Sequence, residues 1–325
     1  MYRILIVGVG QLGSRHLQGV LKVNLDLEVY LLDPNESSRK TAELRANEIV
    51  HSHTLHYLSD WSGIPGQVDI CIIATSADIR EKVVAELLHN ISIRYLILEK
   101  VLFQEIKSYD RVGDLLKEKL VRTWVNHPKR TFQSFQSIME KVSKVSSPPL
   151  FIISGNSWGI GCNGLHSIDT IAYLRKTRLS SLHTESLSSE VLQNKRPGFV
   201  EFEGTLMGCM EDKSTFLLRS MPGIRDQLSW YIDLGDSSIR IEEGGEQPVI
   251  QFFSKGKTEP LETEQYFPEF QSDLSKDLIY DLLQTGTCQL PDYSESSHNH
   301  QVFISSLLKF YNEIAGESTT ILKIT

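Results

Sequence analysis

Apolar positions along this chain follow two different rhythms, one on each side of Asn126. In the first third, short continuous apolar runs alternate with stretches of helical spacing. RILIVGV (3–9) is an apolar run closed by glycine, the pattern of a strand buried on both faces. Residues 11–22 then place Leu12, His16, Leu17, Val20 and Leu21 on one side of a helix. LEVYLLD (27–33) predicts a second strand ending in an acid, and residues 36–46 are polar and helix-forming. VDICIIAT (68–75), YLILEK (95–100) and LVRTWVN (120–126) predict three more strands, with helices over 78–89 and up to 118 between them. This βαβα alternation predicts an α/β domain built on a doubly wound parallel sheet with helices on both faces.

After Asn126 a helical stretch near 132–144 ends in SSPP. PLFIISG (149–155) predicts a strand, and GIGCNGLHSIDTIAYL (159–174) a glycine-broken loop that opens a helix. From 180 to 255 the runs FVEFEGTLM, STFLLRSM, QLSWYIDLG, SSIRIEE and PVIQFFS succeed one another across short turn signals, as in an antiparallel sheet. Helical spacing returns over 270–285 and 294–314. The expected organisation is a Rossmann domain over 1–127 and an α+β domain over 128–325 carrying a large, mostly antiparallel open sheet.

Composition narrows the function. With 40% hydrophobic and 23% charged residues, the chain has the balance of a soluble enzyme. A net charge of -8 gives no field that would draw nucleic acid or an anionic membrane. Cys71, Cys162, Cys209 and Cys288 are scattered without a C-x-x-C pair, which fits a reducing cytoplasm. The start MYRILIVGVG lacks the basic, long apolar form of a signal peptide, and no apolar run is long enough for a bilayer. The expectation is a cytoplasmic enzyme with no nucleic-acid or membrane partner. His51, His53 and His56, like His298 and His300, have no cysteine or acid cluster to complete a metal site, so no metal is expected. Trp158, Trp230, Tyr231, Tyr266 and Phe267 read as sheet and interface packing rather than a sugar-stacking surface.

Gly8-Val9-Gly10-Gln11-Leu12-Gly13 directly follows a buried strand and opens a helix. Gly8 permits the tight turn, Gly10 lets backbone approach a pyrophosphate, and Gly13 allows close helix–strand packing. The helix start, with Gln11 and Leu12, offers N–H groups and partial positive charge to phosphates. Asp33 falls twenty residues after Gly13, at the end of the second strand, where a carboxylate accepts hydrogen bonds from an adenosine ribose. It also repels a 2′-phosphate, so NAD is the expected cofactor; Arg39 and Lys40 downstream keep NADP open. An S-adenosylmethionine site is the rival for a glycine loop followed by an acid.

YLILEK ends a parallel strand on Glu99 and Lys100, at the strand end where ligands sit in such sheets. A lysine there can hydrogen-bond a substrate hydroxyl and stabilise developing alkoxide charge, or can simply be a solvated strand terminus. VGVGQLGSRH, VDICIIATS, LEK and GLHSID together resemble, in order, the Gfo/Idh/MocA oxidoreductases, relatives of glucose–fructose oxidoreductase and inositol dehydrogenase. The resemblance covers nearly the whole chain. It implies a nicotinamide-side role for Glu99, a substrate-hydroxyl role for Lys100, and cofactor contacts from Thr75 and Ser76. Asn126 and Arg130 are similar to an asparagine and arginine of the family that either contact ligand or pack the domains. The family's Glu-Lys-Pro has Val101 in place of the proline here; proline takes a cis bond readily, whereas a non-proline cis bond costs about 3 kcal/mol.

The family's second-domain motif is an aspartate, a histidine four residues later, and often a further aspartate. GCNGLHSID supplies His166 and Asp169, with Cys162 at the first acid's position and Asn163 beside it. The i,i+4 spacing puts Cys162 and His166 on one helix face, though Gly164 between them weakens that helix. The resemblance implies hydride transfer between NAD(P) and a secondary alcohol or ketone of a sugar or nucleotide sugar. Lys100 and His166 are the expected catalytic pair, and Cys162, Asn163, Asn126 and Arg130 the expected substrate contacts. It also implies a homodimer or homotetramer formed through the open sheet face, and a place in carbohydrate metabolism. Two rivals remain: a catalytically decayed NAD-binding regulator, and a reductase of a non-sugar substrate such as an imine or linear tetrapyrrole.

Overall fold

The computed structural model describes residues 1–325 and divides into two compact units. The first contains Met1–Phe103, Lys107–Pro128 and Glu269–Ser294; the second contains Gln104–Ile106, Lys129–Pro268 and Glu295–Thr325. The switch at residue 128 lies beside the expected boundary, but a single boundary leaves out the return of 269–294 to the first unit. That segment carries an apolar helix face whose residues fill the first unit's core, a long-range fact that local periodicity does not encode.

The first unit is built on β1 (Tyr2–Val7), α1 (Gly13–Leu21), β2 (Leu27–Leu32), α2 (Glu36–Ala46), β3 (Thr54–Leu58), β4 (Gln67–Ile73), α3 (Ala77–Asn90), β5 (Ser92–Glu99), α4 (Ile106–Glu118) and β6 (Arg122–Asn126). The six strands are all parallel, in the order β3-β2-β1-β4-β5-β6. Ile4, Ile6, Val29, Leu31, Ile70, Ile72 and Ile97 form the buried layer, as their continuous apolar runs require. Five of these strands stand out in the sequence; β3 does not, because as an edge strand it is half-exposed and mixes Thr54, His56 and Tyr57 with leucines. His51 and His53 stack on one another just before it, and His56 bonds the Glu28 carboxylate at 3.1 Å.

The second unit runs α5 (Gln133–Ser143), β7 (Leu150–Asn156), α6 (Ile160–Arg175), β8 (Leu179–His183), β9 (Leu192–Gln193), β10 (Val200–Glu201), β11 (Gly204–Met210), β12 (Thr215–Met221), β13 (Ser229–Asp233), β14 (Ser237–Glu242), β15 (Val249–Ser254) and β16 (Glu262–Gln265). Next come α7 (Gln271–Thr285), which belongs to the first unit, and α8 (Tyr293–Ala315). Eight strands form one sheet in the order β16-β15-β14-β13-β7-β12-β11-β8, antiparallel except for β7 beside β12. Alternation sorts its faces. Phe151, Phe216, Ile232 and Ile239 are buried in one cross-strand row. On the opposite face Met207, Leu217, Ile152 and Tyr231 are register neighbours and half-buried. No helix of the protein is long and apolar enough to cross a membrane.

Candidate functional site

Within the first unit, the turn after β1 is shaped by its glycines. Gly8 has φ +84°, and a Cβ there would press on the Thr75 backbone nitrogen at 2.9 Å. A Cβ on Gly13 would overlap the Gly8 carbonyl, so α1 can start directly against the turn only with glycine at 13. Beside Gly10 the space is open: a Cβ would meet nothing closer than Ser38 Oγ at 3.7 Å. No side chain caps the start of α1. These are the features of a phosphate cradle: close backbone, open space and an uncapped helix start.

Asp33 closes the cradle. Its Oδ2 accepts the Val9 N–H at 3.0 Å and its Oδ1 the Asn35 N–H at 2.9 Å, leaving further lone pairs for ribose hydroxyls. Arg39 donates to the Asp33 carbonyl at 2.6 Å, which keeps a cation next to this acid. Arg45 of α2 donates to the Gln11 carbonyl and to Ser14 Oγ, each at 2.6 Å, and to Gln11 Oε1 at 2.7 Å. Gln11 is therefore fixed from outside the loop by a residue that the glycine motif does not point to. At the end of β4, Thr75 Oγ1 is buried with no hydrogen-bond partner, and Ser76 starts α3 without using its hydroxyl as a cap. An orphaned buried hydroxyl next to an open glycine cradle fits a bound dinucleotide.

At the end of β5, Glu99 is 3% exposed. Its Oε1 accepts from His16 Nε2 at 2.8 Å and from Asn126 Nδ2 at 2.5 Å. Burial pushes the Glu99 carboxyl up, but the His16 bond and charge, the Asn126 bond and the Lys100 charge together hold it below its ordinary value. Asn126, expected at a substrate, is 2% exposed and bridges Glu99 and Gln271 instead. Lys100 follows directly, half-buried, and the Lys100–Val101 peptide is cis. Arg80, 1% exposed, donates to the carbonyls of Thr75, Val101 and Leu102 (2.9 Å for the last), tying the turn after β4 to the turn after β5. An arginine on the helix face that buries Val84 and Leu87 was the available signal for it.

Within the second unit, His166 and Cys162 both lie in α6, which runs unbroken through Gly164. Gly164 is a packing position: a Cβ there would stand 3.2 Å from the Phe303 ring. The helix start is occupied by Glu201, whose carboxylate accepts the N–H groups of Gly161 and, at 3.1 Å, Cys162. Gly159 (φ +82°) and Gly161 make room, since a Cβ on either would crowd that carboxylate at 2.6 and 2.8 Å. Asn163, expected at a substrate, donates its side-chain N–H to the Trp158 carbonyl at 2.6 Å. Asp169 binds Arg130 through two bonds of 2.9 and 2.5 Å, and Arg130 also reaches Glu295 at 2.8 Å. Arg130 is 4% exposed and held firmly charged by these two carboxylates against the effect of burial. It secures α6 rather than presenting a cation at the surface. The acid in FVEFEG was the sequence signal for Glu201, a charge inside an apolar run.

Residues 2–127 match the family described as "Oxidoreductase family, NAD-binding Rossmann fold", the Gfo/Idh/MocA group. A search of curated proteins gives no match. Solved structures share the fold over nearly the whole chain. An oxidoreductase from Agrobacterium radiobacter in complex with NAD+, L-tartaric acid and magnesium is 11% identical (97% of this chain, 99% of that one, TM-score 0.74). UDP-N-acetylglucosamine 3-dehydrogenase GnnA from Acidithiobacillus ferrooxidans is 10% identical (96% and 98%, TM-score 0.71). The transcriptional regulator Gal80p from Kluyveromyces lactis is 13% identical (96% and 92%, TM-score 0.69).

Proposed function

We propose that this chain, whose residues 2–127 belong to the NAD-binding domain of the Gfo/Idh/MocA oxidoreductases, oxidises a secondary alcohol or reduces a ketone in a sugar or nucleotide sugar. Bound NAD supplies the hydride acceptor or donor. The cradle of Gly8, Gly10, Gln11, Leu12 and Gly13 holds its pyrophosphate, Asp33 its adenosine ribose, and Thr75 and Ser76 contribute hydroxyls. Asp33 favours NAD over NADP. Lys100 donates a hydrogen bond to the substrate oxygen and stabilises charge developing on it. His166 acts as the general base that takes the hydroxyl proton. The observation that carries the reading is Lys100 at the carboxyl end of β5, directly after a Glu99 locked by its neighbours. Asn126 and Arg130 act on Glu99 and on α6 rather than on substrate.

The row Met207–Leu217–Ile152–Tyr231 supports self-association of the open sheet face as a homodimer or homotetramer. Sedimentation equilibrium tests this: a monomer at micromolar concentration would remove it.

A regulatory reading is favoured by one observation: a thiol, Cys162, stands where a carboxylate is expected, on a fold that Gal80p shares. Nicotinamide absorbance followed over a panel of sugars, nucleotide sugars, imines and linear tetrapyrroles separates the readings. Turnover on a sugar-type alcohol is expected, and Lys100→Ala and His166→Ala should each cut kcat by about 100-fold or more with NAD affinity kept. Tight NAD binding with no turnover on any substrate would favour the regulator, and turnover confined to imines or tetrapyrroles would favour the non-sugar reductase.

A further inference from the structure

Arg45 of α2 closes on the glycine turn from behind. It is half-buried, and its guanidinium donates at 2.6 Å to the Gln11 carbonyl and to Ser14 Oγ, and at 2.7 Å to Gln11 Oε1. A guanidinium only donates and a carbonyl only accepts, so the direction of each bond is settled. Ser14 Oγ, fully buried, accepts from Arg45 and passes its own proton to the Gly10 carbonyl at 2.5 Å. Two successive carbonyls therefore lead to Arg45, that of Gly10 through Ser14 and that of Gln11 directly. The Gln11 carbonyl depends on the arginine most. The Ser14 N–H reaches Gly10 at 3.0 Å in the ordinary helical way, but the Arg15 N–H goes to Leu12 at 2.9 Å and passes Gln11 by.

Carbonyl direction fixes amide direction. In a planar trans peptide the C=O of one residue and the N–H of the next point opposite ways. Holding the carbonyls of Gly10 and Gln11 toward Ser14 and Arg45 turns the N–H groups of Gln11 and Leu12 away from them. Neither N–H has an acceptor in the protein. The two helices are braced separately by Gln18, whose Nε2 donates to Glu48 at 2.7 Å and to the Arg45 carbonyl at 3.4 Å. That leaves the guanidinium's part with the turn.

We propose that Arg45 is a positioning residue for the cofactor: from behind the turn, with Ser14 as its relay, it aims the Gln11 and Leu12 N–H groups at the pyrophosphate. The phosphates then meet amides that are already directed, so less ordering opposes binding. The fork of the guanidinium is what the task requires, because one planar group must hold a carbonyl, a hydroxyl and an amide oxygen together. Arg45 lies 34 residues after Gln11, on another helix, and belongs to no motif in the sequence. The proposal rests on the reading of the glycine cradle given above.

Calorimetric titration of the full-length protein with NAD, with ADP-ribose, and with adenosine as a competitor tests it. ADP-ribose carries the pyrophosphate and adenosine does not, so the pair separates an effect on the turn from a general loosening of the domain. Arg45→Met should weaken NAD and ADP-ribose alike, by about 10- to 30-fold, and leave adenosine unmoved. Arg45→Lys keeps the charge but loses the fork, and should weaken both nearly as much. Ser14→Ala should act in the same direction and add little to Arg45→Met, since the two belong to one relay. If Arg45→Met fails to fold, Arg45→Lys and Ser14→Ala carry the same comparison. ADP-ribose affinity that is unmoved, or adenosine affinity that falls by the same factor, overturns the proposal. A loss of NAD affinity in Gly10→Ala with none in the Arg45 variants removes the clamp alone, whereas NAD affinity unmoved in Gly10→Ala removes the cradle reading and the clamp with it.

Discussion

Two glycine-rich turns lead into helices in this protein, and they serve opposite purposes. Around Gly8–Gly13 the glycines clear space that the chain leaves open: nothing stands close to Gly10, and no side chain caps α1. Around Gly159–Gly164 the glycines clear space that the chain itself fills, with Glu201 seated on the start of α6 and Phe303 against Gly164. A glycine turn before a helix is therefore not by itself an anion site; what occupies the space decides. An anion is welcome at α1, whereas at α6 a carboxylate of the protein already holds that position.

The largest test of this contrast is on the ion pair that secures α6. Arg130→Met leaves Asp169 buried without its guanidinium and should cost about 3–5 kcal/mol, read as a lower urea midpoint, whereas pairing it with Asp169→Leu should recover most of the loss. Gly161→Ala comes next: its Cβ must push on Glu201, for about 1–3 kcal/mol. Gly10→Ala should differ in kind, changing stability by no more than about 0.5 kcal/mol while weakening NAD binding in a titration; equal losses of stability in the two variants would break the comparison. Glu201→Gln removes the charge from the α6 cap and should cost about 1 kcal/mol.

The remaining test is one of pH dependence and concerns Glu99. Its carboxyl is held below the ordinary value in the fold, because the His16, Asn126 and Lys100 contributions outweigh burial. The folded pKa is the lower one, so the stabilisation is fully present above the unfolded carboxylate range and is lost as pH falls through the folded value. Urea midpoints measured from about pH 6 down to about pH 3 should show this loss, and Glu99→Gln should flatten it; an unchanged acid limb would contradict the assignment.

The first unit was legible in the sequence because its chemistry is local. Gly8, Gly10, Gly13 and Asp33 act through backbone shape and strand ends, which spacing reports directly. The surroundings of α6 were legible only as far as the helix itself. His166 and Asp169 lie on α6 as expected, but the acid at its start comes from Glu201, and Arg130 is drawn inward to Asp169. Asn126 and Asn163 were recognised as polar residues in telling places, yet both turn to protein partners that spacing could not name. Arg45 and Arg80 escaped for the same reason: each clamps backbone carbonyls contributed by other elements.

The return of α7 to the first unit makes the dinucleotide domain a two-piece object. Gly19 of α1 lets Ser275 approach so closely that a methyl group between them would collide. Leu278, Ile279, Leu282 and Leu283 join Leu17, Val20 and Leu21 in one apolar seam. A laboratory chimera that transplants residues 1–128 alone would carry Leu17, Val20 and Leu21 of that seam without the α7 residues that cover them. The graft that preserves the first unit takes 269–294 with it, so in evolution as in engineering that unit cannot be exchanged by a single crossover.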